Sequence, residues 1–217
     1  FAEAVIHAFS HTCTIGAWTH RPRIHIGYAA FPEDAVAWSL LEKKVGTALV
    51  MAERTGASAA LRWRLQMDEA VQEAMLMELN LQQALQHGEI VPFYQPIVEA
   101  GSGHVRGFEA LMRWHSPDHG VVVPERFIPI LEETGMIVPF GEWMLRTCCA
   151  QNVAWQKLTG RPTVISVNVS TVQIRRGRFP ETVSRVLRET GMPPETLEIE
   201  VTESVLLEDV SRTIEDL

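Results

Sequence analysis

Val91-Pro92-Phe93-Tyr94-Gln95-Pro96-Ile97-Val98 and Val105-Arg106-Gly107-Phe108-Glu109-Ala110-Leu111-Met112-Arg113-Trp114 are two strand-like runs joined by a turn over residues 99–103. A connection this short returns the chain antiparallel, because a parallel crossover takes a dozen residues or more. Beyond the hairpin the pattern alternates. Residues 124–134 and 141–159 have helical spacing, 163–169 reads as a strand, 179–190 as a helix, 197–201 as a strand and 205 onward as a helix. Such alternation builds a parallel sheet or a β/α barrel. The predicted class is α/β, with the unusual feature of an antiparallel first strand.

Strands in such sheets are covered on both faces and should be continuously apolar. Three of these are not. Glu109 and Arg113 lie an even number of residues apart in 108–114, so both point to one face. Asn168 falls late in Val164-Ile165-Ser166-Val167-Asn168-Val169, and Glu200 late in Leu197-Glu198-Ile199-Glu200-Val201, with Glu203 just beyond. A buried carboxylate without a partner costs several kcal/mol, so each calls for a cation or a metal ion. Two glutamates and an asparagine offer oxygen ligands, which suit Mg²⁺, Mn²⁺ or Ca²⁺ rather than zinc. Function in β/α barrels collects at the C-terminal ends of strands, where these residues fall. Any one of them alone is more often a solvated or paired structural group. The same anomaly on three successive strands points to a metal-dependent site, with the substrate still open.

Upstream, residues 1–12 read as the end of a helix, 12–16 and 23–30 as strands, 31–34 as a turn and 37–54 as a helix. From about 61 to 86 there is no Gly or Pro, and Leu65, Val71, Met75, Leu79 and Leu85 recur at helical intervals. With His87-Gly88 as its stop, this run is expected to connect two modules. The expected organisation is therefore 1–60, a connecting helix over 61–88, and 89–217.

The 217 residues are 46% hydrophobic and 21% charged, ordinary for a globular chain of one domain or somewhat more. A net charge of −8 argues against nucleic acid or an anionic membrane surface as a partner. A phosphate ligand would be met locally, by single arginines or metal ions. No apolar run approaches the roughly 20 residues of a membrane span. The sequence opens on Phe1-Ala2-Glu3-Ala4, with no Met and no signal-peptide core, which reads as the inside of a longer chain. Three cysteines, two of them adjacent (Cys148 and Cys149), make no disulfide framework and suggest reduced thiols in the cytoplasm.

Several of these residues also carry a family resemblance. Tyr94-Gln95-Pro96-Ile97-Val98 followed by Gly107-Phe108-Glu109-Ala110-Leu111-Met112-Arg113-Trp114 resembles the opening of an EAL domain. Pro124-Glu125-Arg126-Phe127-Ile128-Pro129, Glu132-Glu133-Thr134-Gly135, Gly141-Glu142-Trp143, Val167-Asn168-Val169-Ser170 and Glu200-Val201-Thr202-Glu203 follow in the family's order, from about residue 80 to the end. The resemblance implies a TIM-like (β/α)₈ barrel with an antiparallel first strand. It also implies a bacterial signalling enzyme that hydrolyses cyclic di-GMP to linear pGpG with Mg²⁺ or Mn²⁺. Carried over by position, Glu109, Asn168 and Glu200 would ligate metal, with Glu109, Glu200 and Glu203 forming the catalytic set. Gln95 and Arg113 would contact the dinucleotide, and Glu203 would hold a neighbouring loop.

Ile24-His25-Ile26-Gly27-Tyr28-Ala29-Ala30-Phe31-Pro32-Glu33-Asp34 resembles the late strand and turn of a GGDEF domain, and 48–56 the helix that follows. Gly46, Val50 and Glu53 depart from that pattern, and the cyclase signature would precede Phe1, so this part is expected to be a degenerate, regulatory fragment of α+β type. A β/α barrel takes about 250 residues; residues 91–217 are expected to supply only its first half, without the family's Lys-x-Asp-Asp segment, and so to be inactive alone. The rival expectations are a cyclic di-GMP receptor that binds without hydrolysis, and a pure interaction module with residues 65–85 as its dimer surface. A homodimer through the connecting helix or the EAL part is the expected self-association.

Overall fold

The computed structural model describes residues 1–15, 18–176 and 178–201. The chain divides into two compact units, Phe1–Leu76 and Met77–Leu217.

The first unit runs α1 (Ala2–Ala8), β1 (Cys13–Ile15), β2 (Trp18–His20), β3 (His25–Tyr28), α2 (Trp38–Glu53), β4 (Ala59–Arg62) and the start of α3 (Leu65–Ala84). β1 and β2 form an antiparallel pair, and β3 and β4 a parallel one, with α2 as the crossover. The sequence reading put helix from about residue 61, yet Ala59-Ala60-Leu61-Arg62 is strand. Ala, Leu and Arg are strong helix formers, and pairing with β3 overrides that preference. The turn before α2 is fastened from β4. Asp34 accepts from the Ala30 N–H (2.6 Å) and from Arg62 Nε (3.0 Å), and Arg62 also reaches Glu33. The Arg62 guanidinium, then the Ala30 N–H, hold the Asp34 carboxyl below the usual carboxylate range. Lys44 Nζ donates to the Asp34 carbonyl (2.6 Å) and sits 3.5 Å from the centroid of the Trp63 ring.

The second unit takes up the rest of α3, then β5 (Ile90–Val98), β6 (Val105–Ser116), β7 (Gly120–Val122), α4 (Pro124–Thr134), α5 (Ile137–Thr159), β8 (Val164–Val169), α6 (Thr171–Arg176), α7 (Phe179–Thr190) and β9 (Leu197–Val201). The strands form one sheet in the order β5-β6-β8-β9, with β7 added to β6. β5 and β6 are antiparallel, with Ile90 opposite Trp114 and Gln95 opposite Glu109, as the short turn required. β6, β8 and β9 are mutually parallel. β6 approaches β8 closely because residue 107 is glycine: a Cβ there would stand 2.4 Å from the Val164 carbonyl oxygen. α5 begins at Ile137, four residues before the sequence pattern suggested, because Pro139 falls in the first turn, where a missing N–H leaves no bond unmade.

One face of the sheet packs on α5 and α7. Ala110, Ile165, Val167 and Val169 meet Met144, Leu145, Cys148, Cys149, Val183 and Val186 there, all buried. Tyr94 and Phe108 close the edge of this core on Trp155, at ring-centroid distances of 4.7 and 4.8 Å. Near the far end of β6, Trp114 is fully buried and its indole N–H donates to Glu89 Oε2 (3.0 Å).

Burial pushes the Cys148 thiol up to about 12 and the Cys149 thiol up to about 11, while Cys13 is exposed. At pH 8 both core thiols therefore stay protonated, and the thiolate is the reactive form. A maleimide followed by mass spectrometry is expected to add one label quickly, at Cys13, and the other two only on denaturation. Rapid labelling of Cys148 or Cys149 in the native protein would show that this core opens.

Candidate metal and substrate site

Strand alternation divides the side chains between the two faces of the sheet. Because Tyr94, Phe108, Ala110, Ile165, Val167, Leu197 and Ile199 pack toward the helices, their neighbours take the other face. Gln95, Glu109, Arg113, Ser166, Asn168 and Glu200 thus belong to one surface, drawn from four strands.

Contacts bind part of this set together. Asn168 Nδ2 donates to Glu109 Oε1 (2.8 Å), and Ser166 Oγ donates to Glu200 Oε1 (2.5 Å). Asn168 and Glu200 are also direct partners in the β8–β9 ladder, as are Gln95 and Glu109 in β5–β6. The expected ligand trio is therefore brought to one patch. Among the described residues, neither Glu109 nor Glu200 is paired with a lysine or arginine, although Glu198 two residues earlier is paired with Arg106. Two carboxylates and an amide oxygen, without a protein cation, fit a hard divalent ion. No group of three His, Cys, Asp or Glu side chains placed to hold a metal ion occurs among the described residues.

Arg113 stands apart. Four residues beyond Glu109 on the same strand face, it is about 13 Å further along. Its Nη1 donates to the Met112 carbonyl (2.9 Å) and its guanidinium lies 5.7 Å from the Phe93 ring centroid. The structure thus leaves a length of strand face between the acidic patch and the guanidinium. Glu203 lies outside the described residues.

A cavity of about 490 Å³ opens beside the patch, lined by Glu109 and Asn168 and otherwise mostly by apolar residues, among them Leu111 and Met112 of β6, Ile128 of α4, and Ile137 and Met144 of α5. Sequence reasoning missed Ser166, because a serine in a strand carries no signal of its own. It gave no role to Glu132 and Ser170, which entered only within motifs, and missed Gln173; on the cavity wall the three meet only through the fold.

Comparison with known proteins bears on the family. The EAL domain model matches residues 78–217. An uncharacterized signaling protein of Caulobacter vibrioides is 36% identical over 192 residues, 88% of this chain and 23% of its own length. The bifunctional diguanylate cyclase/cyclic di-GMP phosphodiesterase MucR of Pseudomonas aeruginosa is 32% identical over 213 residues, 98% of this chain and 31% of its own. A solved PaMucR phosphodiesterase in complex with c-di-GMP superposes with a TM-score of 0.63 at 36% identity, covering 65% of this chain and 57% of that one. The chain spans about a quarter of the length of the curated relatives it matches. Among the described residues no helix is long and apolar enough to cross a membrane.

Proposed function

The chain belongs to the EAL domain family, and from that premise we propose that the full-length protein hydrolyses cyclic di-GMP to linear pGpG in a divalent-metal-dependent reaction. One observation carries the reading. Glu109, Asn168 and Glu200 meet on one face of three neighbouring strands, beside a cavity, and neither carboxylate has a protein cation among the described residues.

In this reading Glu109, Asn168 and Glu200 would hold Mg²⁺ or Mn²⁺. Such ions lower the pKa of a bound water and neutralise charge on the phosphate under attack. Asn168, by donating to Glu109, fixes one carboxylate oxygen and keeps its own amide oxygen for a ligand. Ser166 Oγ likewise fixes one carboxylate oxygen of Glu200. Arg113 would meet a phosphate of the dinucleotide with a charge-assisted bond, after leaving the Met112 carbonyl. Gln95, opposite Glu109, would orient the sugar-phosphate ring. Glu203 would hold the adjoining loop. Water adds to phosphorus, the P–O3′ bond breaks, and the 3′ oxygen leaves as a hydroxyl, so the product is linear with a 5′-phosphate.

The sheet β5-β6-β8-β9 would be the first arc of a barrel completed by residues beyond this chain. The first unit would be a degenerate, regulatory GGDEF fragment, and α3, on which Met75 and Leu79 are exposed, would transmit its state or pair with a second copy.

Incubating the full-length protein with cyclic di-GMP and Mg²⁺ or Mn²⁺, followed by chromatography, is expected to give linear pGpG. Tight binding with the ligand recovered intact would instead identify a receptor.

A further inference from the structure

β8 pairs with β6 only from Val164 to Val167, so Asn168 and Val169 have a ladder on the β9 side alone. On that side the pairing with β6 has ended, and Leu111 and Met112 of β6 line the cavity together with Asn168 and Val169. Beyond the β9 ladder and the bond to Glu109, the level of Asn168 depends on what holds the chain that follows it. Two residues on, Ser170 is caught from three directions. Its Oγ donates to Glu132 Oε1 of α4 (2.6 Å), its N–H donates to Gln173 Oε1 (3.0 Å), and its Oγ accepts the Val172 N–H (3.1 Å). Ser170 and Gln173 are 8% and 6% exposed, so the bond between them is buried, while the bond to the half-buried Glu132 is partly so. Gln173 in turn lies against Gly141 of α5, where a Cβ would stand 1.9 Å from its Nε2. Glycine is the residue that leaves room for it.

The short hydroxyl–carboxylate bond is the strongest member of this clamp. Glu132 is not required by its own helix: α4 packs through Phe127, Ile130 and Leu131 and ends on Gly135 in the left-handed conformation. We propose that Glu132 is a positioning residue. Through Ser170 it sets where the end of β8 stands, and so places Asn168 against Glu109 and Glu200 for cation binding. This rests on reading that trio as the metal-holding set. A group that orients a ligand without touching the ion commonly changes metal affinity 10- to 100-fold.

The test is Mn²⁺ titration of the full-length protein, followed by the electron paramagnetic resonance signal of free Mn²⁺. Glu132→Ala and Ser170→Ala are expected to weaken Mn²⁺ binding by about 10- to 100-fold. Glu132→Gln, whose amide oxygen still accepts from Ser170, should stay within about threefold of wild type, since neutral bonds are only about half as strong as charge-assisted ones. Metal-free melting temperatures of all three should lie within about 5 °C of wild type. Wild-type Mn²⁺ affinity in Glu132→Ala, or an equal loss in Glu132→Gln, would overturn the proposal. Should Glu132→Ala fail to fold, Ser170→Ala, which removes one oxygen atom, decides on the same terms. A wild-type protein without Mn²⁺ affinity would defeat the metal reading itself; wild-type affinity retained in both alanine variants defeats only the role of Glu132.

Discussion

Glu109→Ala in the full-length protein is expected to lower cyclic di-GMP turnover by about three orders of magnitude, the scale on which a fixed charge-stabilising group contributes to catalysis, without loss of the metal-free fold. Among the described residues Glu109 is not half of an ion pair. Its described bond is to the amide of Asn168, itself exposed, so the orphaned N–H turns to water at little cost. Removing one of two carboxylates from the same face also relieves like-charge repulsion in the metal-free state. Thermal melts with and without Mn²⁺ read both halves of the expectation. Wild type should gain stability on adding metal by mass action, and the variant should lose that gain while keeping the metal-free transition. A variant already unfolded without metal would mean that Glu109 holds the sheet together.

Gly107→Val should be the most damaging single change to the sheet. Its Cβ would stand 2.4 Å from the Val164 carbonyl oxygen, a backbone atom that no rotamer change can move. β6 and β8 pair over only four residues, Gly107 to Ala110, so forcing them apart at the first of these weakens the whole contact. Overpacking of this kind costs about 3 kcal/mol, measurable as a lower denaturation midpoint in urea. Glu109 and Asn168 would separate with the strands, so cation affinity should fall too. A midpoint equal to that of wild type would show that β6 and β8 yield more easily than their backbone contact implies.

The hairpin β5–β6 was legible because a five-residue turn excludes every connection but an antiparallel return. The face carrying Glu109, Asn168 and Glu200 was legible because charge in a strand that should be apolar is an anomaly that period-two alternation assigns to one side. Short elements were not legible. β7 has three residues and α6 six, too few for a period to register, and β4 is written in helix-forming residues that only β3 holds extended. The clamp on Ser170 was out of reach for a different reason. Glu132, Gly141 and Gln173 lie up to 38 residues from Ser170 in sequence, and neither an exposed-looking glutamate on an amphipathic helix nor a glycine near a helix start announces a partner. Arg113 was placed on the correct face by parity, yet its guanidinium rests on its own strand's carbonyl and on Phe93, a detail that depends on side-chain geometry.

The most direct test is to run the reaction in ¹⁸O-labelled water. The full-length protein with Mn²⁺ and cyclic di-GMP is expected to yield pGpG carrying one ¹⁸O, on its 5′-phosphate, and to yield none once EDTA has removed the ion. Cyclic di-GMP recovered intact from a protein that binds both it and Mn²⁺, or linear product formed equally well in EDTA, would contradict a metal-dependent hydrolase built on Glu109, Asn168 and Glu200.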